Sequence, residues 1–216
     1  MSDSFAALIQ QANDFFSELA ANNTKEWFEP RKAQYKAEIR APAELLADLF
    51  AEDLSRLTGA SYTAKVFRIY RDVRFSKDKS PYNPHLHMSW KSTGHPEWFF
   101  GSSPSYCVLC TGLPDLKGEK LTAYRVAVDQ DGDDLSDIID AVASSHGARF
   151  SNWGADPLKR VPKPYDTDHP HADLLKRKSL ILEMTPDLDG GVLSGLGQGV
   201  DALLPFWRAL NDMALT

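Results

Sequence analysis

At 216 residues, 43% hydrophobic and 25% charged, the chain has the mix of an ordinary globular protein and enough length for one sizeable core. Thirty acids against 24 bases leave a net charge of −6, which argues against a surface built to neutralise nucleic-acid phosphates. Two cysteines, Cys107 and Cys110, supply no disulfide framework, no apolar run approaches a membrane span, and the N-terminus lacks a secretory layout, so a cytoplasmic setting without a membrane partner is expected.

The first predicted element is a helix. Phe5, Leu8, Ile9, Ala12, Phe15, Phe16 and Leu19 recur at spacings of three and four, with Asp3 or Ser4 as its cap. Asn22 and Asn23 end it, and Asn23 with Glu26 forms a capping-box pattern for the next helix. Pro30 sits early in that helix or breaks it. Pro42 opens a third helix with Leu45, Leu46, Leu49, Phe50, Leu54 and Leu57 inward, closed by Gly59.

The middle of the chain changes character. Thr63 to Phe75 is rich in β-branched and aromatic residues and reads as a long strand. A proline-bearing loop, Ser76 to Pro84, follows. His85 to Trp90, Glu97 to Gly101 and Ser105 to Thr111 read as three further strands, joined by short turns and therefore antiparallel. Helical signals return at Leu116 to Val128 and Leu135 to Ser145. Beyond a polar stretch from Gly147 to Thr167, Asp168 is placed to cap a short helix. Ser179 to Met184 reads as a fifth strand and Val200 to Met213 as a terminal helix. The expected fold is one α+β domain: an antiparallel sheet of about five strands, with N-terminal and C-terminal helices packed on one face.

One stretch carries more polar chemistry than a strand needs. In an extended chain Phe67, Ile69, Val73 and Phe75 share a face with Arg71, while Arg68, Tyr70, Asp72 and Arg74 share the other with Val66. The loop beyond adds Lys77, Asp78, Lys79 and Tyr82. From Arg68 to His85 there are five bases and two acids, a local charge of +3 inside a chain that is otherwise −9. Arginine presents a planar fork for carboxylate or phosphate, so the island suits capture of a small anion. Arg71, on an apolar face, must find a carboxylate or a ligand. The plainer alternative is a ladder of charges pairing with one another across a solvated face.

The run from Phe67 to Tyr82, Phe-Arg-Ile-Tyr-Arg-Asp-Val-Arg-Phe-Ser-Lys-Asp-Lys-Ser-Pro-Tyr, resembles the signature of a mostly bacterial family, domain of unknown function 2461. His85-Leu86 matches the His that follows that signature. Asn22 to Phe28 resembles the family's N-terminal motif. Leu158 to Lys163, Tyr165-Asp166, Asp168-His169-Pro170 and Leu174 to Lys176 resemble its C-terminal one. Asn83 and Pro84 stand where the family usually carries Lys and Thr, and His87 stands where a small residue is usual. The resemblance spans almost the whole chain and implies a single domain; it brings no activity with it.

Other constellations are weaker. Cys107 and Cys110 lie three apart on a predicted strand, so their sulfurs diverge and no second pair completes a zinc site. His85 and His87 share a strand face but lack a third ligand, so no metal is expected. His85 beside Asp72 is a candidate acid–base pair. Lys159, Arg160, Lys163 and His169 form a second basic patch, able to fold over the first, and Asp166 or Asp168 could pair with Arg71 or Arg74. No glycine-rich phosphate cradle or nucleophile elbow is present.

The sequence therefore predicts a site for a small phosphorylated or carboxylated anion, lined by Arg68, Tyr70, Arg71, Arg74, Lys77, Lys79 and Tyr82, with Lys163 and His169 from the second patch. Arg68 and Arg74 would fork onto the anion and Asp72 would orient an arginine. Asp72 and His85 are the candidates for any catalysis, and no cofactor is expected. The alternatives are a module docking an acidic protein segment or, less favoured by charge, single-stranded nucleic acid, and a purely structural polar network. Whether the chain is an enzyme, and its oligomeric state, are left open by the sequence.

Overall fold

The computed structural model describes residues 5–213. Apolar spacing gives α1 (Ala6–Ala21), which starts after Phe5 without a side-chain cap; the expected caps Asp3 and Ser4 lie outside the described residues. Thr24, not Asn23, caps α2 (Lys25–Phe28), its hydroxyl accepting from Trp27 N–H at 3.3 Å. Pro30 turns the chain into a 3₁₀ segment (Glu29–Arg31), followed by α3 (Lys32–Gln34) and a π-helical segment (Tyr35–Arg40). α4 (Ala41–Thr58) carries Pro42 in its first turn and ends at Gly59, whose φ of 77° is the left-handed conformation that glycine tolerates best. Ala43, Leu46, Ala47, Phe50 and Leu54 form its buried stripe. Leu45 and Leu49, expected inward, are 55% and 37% exposed.

The strands are β1 (Thr63–Val66), β2 (Leu86–Lys91), β3 (Glu97–Ser103), β4 (Tyr106–Leu113), β5 (Arg149–Phe150) and β6 (Leu180–Met184). They form one antiparallel sheet in the order β1-β2-β3-β4-β6-β5. The α+β class is as expected. The sheet has six strands instead of about five, because the two-residue β5 pairs with β6. The long strand expected from Thr63 to Phe75 is corrected: regular pairing stops at Val66.

The chain divides into two compact units. One comprises the chain through Trp90 together with Phe99–Val108 and Pro186–Gly197; the other comprises Lys91–Trp98, Leu109–Thr185 and the chain from Gln198. In the first, Phe50 packs edge-on against Trp90 with ring centres 4.9 Å apart, and Trp90 donates its indole N–H to Ala47 O at 2.8 Å. That bond lets a fully buried tryptophan keep its polar atom satisfied.

In the second unit, α5 (Gly118–His146) joins the two expected helices across a kink at Asp131 (φ −153°, ψ 51°). Tyr124 donates to Leu174 O at 2.9 Å and ties α5 to α6 (Ala172–Leu175). α6 begins after His171 without a side-chain cap, so Asp168 is not its cap. β4 and β6 approach closely at Gly112, where φ is +148° and any Cβ would be driven into Leu180 O. α7 (Val192–Asp212) starts earlier than the expected Val200 and holds Pro205 within it. Among the described residues no helix is long and apolar enough to cross a membrane.

Candidate functional site

The segment from Phe67 to His85 leaves the sheet because its own side chains compete for the backbone. Asp72 Oδ1 accepts from Arg74 N–H at 3.2 Å. Asp78 Oδ1 accepts from Ser80 N–H at 2.9 Å and from the Ser80 hydroxyl at 2.7 Å. These are two Asx turns, the local alternative that aspartate offers to a strand ladder. The arms close behind them through Arg71 N–H to Pro81 O (2.9 Å), Asn83 N–H to Ile69 O (2.7 Å) and a single bridge between Tyr70 and Tyr82.

Both ends of this loop are clamped. Arg40, at the end of the π-helical segment, donates to Val66 O at 3.0 Å and Phe67 O at 2.8 Å. Asn23 holds the other arm twice: its amide nitrogen donates to Tyr82 O at 3.0 Å and its amide oxygen accepts from Tyr82 N–H at 3.1 Å. Phe28 packs on Tyr82 with ring centres 4.3 Å apart and meets Tyr70 edge-on at 6.0 Å. Lys32 reaches the Tyr70 ring, 6.0 Å from its centre, and Glu29, at 3.4 Å. The Tyr70 hydroxyl, ahead of Glu29, raises the Lys32 ammonium above its ordinary pKa. Sequence reading missed Asn23, Phe28 and Arg40 as parts of this site. Asn23 carries the pattern of a cap, and no local pattern announces a partner 59 residues away.

The charged residues arrange themselves differently from the expected two-fork pocket. Arg74 lies on Asp72, its Nε at 2.9 Å and Nη2 at 2.6 Å from the carboxylate oxygens. Asp72 thus orients an arginine, and Arg74 does not stand open beside Arg68. Arg71 is the half-buried member, a quarter exposed, and its Nη1 bonds Asp78 Oδ2 at 2.5 Å and Ser80 O at 3.2 Å. The Ser80 hydroxyl and N–H, then Arg71, hold the Asp78 carboxyl far below the usual carboxylate range. Arg74 lowers Asp72 in the same way. Lys79 donates to Val73 O at 3.0 Å. Arg68 and Lys77 are exposed, without an ion pair among the described residues.

The aromatic residues also redistribute. Tyr82 is 2% exposed and belongs to the core. Phe67 and Tyr70 are 40% and 41% exposed, and Phe75 stands in water at 95% with the Arg74 guanidinium 5.9 Å from its ring. His85 stacks on His87 at 3.7 Å, and His87 Nε2 lies 2.6 Å from the Tyr106 hydroxyl. Burial and then the Arg71 charge lower the His85 pKa. Burial, then His85, pushes His87 down to about 3. His85 has no bond to Asp72 among the described residues. No cluster of three or more His, Cys, Asp or Glu side chains there could hold a metal.

In the second unit Lys163 is exposed. His169 has both ring nitrogens engaged, Nε2 with Asp129 at 3.3 Å and Nδ1 accepting from His171 N–H at 3.0 Å. Cys107 and Cys110 are free thiols, and burial pushes Cys107 up to about 11 and Cys110 higher still.

Comparison with known proteins follows the same span of chain. The model of a family described as "Conserved hypothetical protein (DUF2461)" matches residues 11–208. No curated protein matches.

Proposed function

Because the chain belongs to this conserved hypothetical protein family, DUF2461, whose description names no reaction, we propose its function from the site: the 67–82 loop docks an acidic segment of a partner protein, in a cytoplasmic setting. Phe75 carries this reading. A phenyl ring 95% exposed forgoes about 2 kcal/mol of burial that a partner could recover. Around it in sequence stand Arg68, Arg74, Lys77 and Lys79, in a segment whose two acids are already engaged by its own arginines. The clamps by Asn23 and Arg40 hold the loop before any partner arrives, which lowers the ordering cost of binding. A single-stranded nucleic acid fits less well. Its phosphates would extend along a chain that is −9 outside this segment, and attraction fades over roughly 8–10 Å at physiological salt.

A second reading, a small phosphorylated or carboxylated anion on Arg71, is favoured by one observation. Among the described residues only Nη1 of that half-buried guanidinium is engaged, which leaves its other edge to fork onto an oxyanion near His85.

The test is fluorescence anisotropy with a labelled Asp/Glu-rich peptide bearing one leucine, at roughly 50 and 200 mM salt. Phe75→Ser should weaken binding by about tenfold, Lys77→Glu should weaken it further, and affinity should fall with salt. Equal binding by wild type and both variants would refute the docking reading. Tighter binding of an oligothymidylate would transfer the loop to nucleic acid. Thermal stabilisation by phosphate or citrate that Arg71→Lys abolishes would select the small-anion site.

A further inference from the structure

A separate concavity of about 310 Å³ lies in the second unit, lined in part by Lys91, Ser92, His95, Glu97, Asp115 and Lys120. His95 is the group in it whose ring is fixed from two sides. Its ring stacks on Trp207 with centres 5.9 Å apart and planes 16° from parallel. Its Nδ1 lies 2.7 Å from Asn211 Oδ1. Asn211 is itself oriented, because its amide nitrogen donates to Asp212 at 3.4 Å, which leaves the oxygen facing the imidazole. Trp207 is fixed in turn by its indole N–H to Pro96 O at 3.1 Å. With Asn211 Oδ1 as the acceptor, Nδ1 is the donor, and the matching neutral tautomer presents Nε2 as an acceptor. Among the described residues nothing bonds Nε2.

The charges around it sort into one occupied and one open cation. Lys91 is spent on Glu97, with which it makes an ion pair at 3.0 Å, and Asp115 pairs with Lys117 at 2.5 Å. Lys120 has no ion pair among the described residues. It stands in the first turn of α5, whose start lacks a side-chain cap, so the free N–H groups of the helix end add to its positive field. The site thus offers a fixed lone pair and an unspent positive charge. Its volume is at the small end of ligand pockets.

We propose that this concavity binds a small anion that also carries a hydroxyl, a hydroxycarboxylate or a phosphorylated alcohol, with Lys120 taking the anionic group and His95 Nε2 accepting a hydrogen bond from the hydroxyl. The reading is independent of the charged loop. It predicts that the ring ¹⁵N signals of His95, assigned by their loss in His95→Gln, shift saturably on addition of glycerate or glycerol 3-phosphate. Lys120→Glu, a change at an exposed position, should weaken both probes by about tenfold or more. Acetate, which has no hydroxyl, should bind about tenfold more weakly than glycerate. No saturable shift at tens of millimolar probe, or equal shifts in wild type and Lys120→Glu, would overturn the site. Equal binding of acetate and glycerate would overturn the role of His95.

Discussion

Acidification from pH 7 to pH 5 should destabilise the protein through His87. Its pKa is pushed down to about 3 by burial and by the neighbouring His85, whereas an imidazole in an unfolded chain titrates near 6.5. The folded value lies below the unfolded one. Between these two values the unfolded chain therefore binds a proton that the native state refuses, and stability falls as pH falls. Each unit in that window costs about 1.4 kcal/mol, so pH 5 lies at most about 2 kcal/mol below the neutral plateau, less whatever the partly exposed ring recovers from water. His85 is shifted in the same direction by its own burial and by Arg71, and adds to the slope. Asp72 and Asp78, held below the ordinary carboxylate range by Arg74 and by Ser80 with Arg71 respectively, stay ionised and do not blur the window. The assay is urea denaturation at pH 7, 6 and 5 on the wild type and on His87→Gln, which cannot titrate and whose amide can reach the Tyr106 hydroxyl. Parallel loss of stability in the two proteins would show that His87 is not the proton acceptor.

Asn23→Ala removes both hydrogen bonds to the Tyr82 backbone and should cost about 1–3 kcal/mol; faster proteolytic nicking within the loop is the second readout, and unchanged nicking would deny that Asn23 anchors it. Gly112→Ala forces a Cβ into Leu180 O and should cost about 3 kcal/mol or more, seen as lost soluble protein; a variant with wild-type melting would mean that β4 and β6 are not so close. Cys107, its thiol held up near about 11 by burial, should react with a disulfide reagent at pH 8 only after denaturation, and prompt native labelling would contradict that burial. Asp78→Asn breaks a partly exposed pair with Arg71 and should lower the urea midpoint only slightly; a shift as large as that of Asn23→Ala would place the pair deeper than it lies.

What could be read from the sequence was what local pattern dictates. α1, the Gly59 stop and the three strands β2, β3 and β4 follow from apolar period and turn residues, and the structure has them within a few residues. The segment after Val66 misled because its alternation of apolar and charged residues imitates a strand, while Asp72 and Asp78 bend the backbone through bonds that alternation does not reveal. Leucine content misled in α4, where the inward stripe takes Ala43 and Ala47 and leaves Leu45 exposed. A better signal went unread at Glu183, an acid in the middle of an apolar strand. It is 8% exposed and bonded by Arg149 of the unexpected β5 at 2.7 Å. A carboxylate placed there required a cation nearby.

The charged stretch stands out in the sequence by its composition, but its geometry turns on residues far from it in sequence. Few backbone bonds join its arms, so the segment lacks the ladder that would ordinarily fix its shape. Order comes instead from the first forty residues: Asn23 on one arm, Arg40 on the other, and Phe28 under Tyr82. Charges engaged with their own neighbours, as Arg74 is with Asp72 at the surface, add little to the fold because water screens them. For the proposed docking of an acidic segment, such pairs are the ones that would be exchanged for a partner's carboxylates at small cost. A core that clamps the base of the loop and a tip held only by weak exposed pairs divide the work: the first supplies shape, and the second leaves Phe75, Arg68 and Lys77 free to be covered.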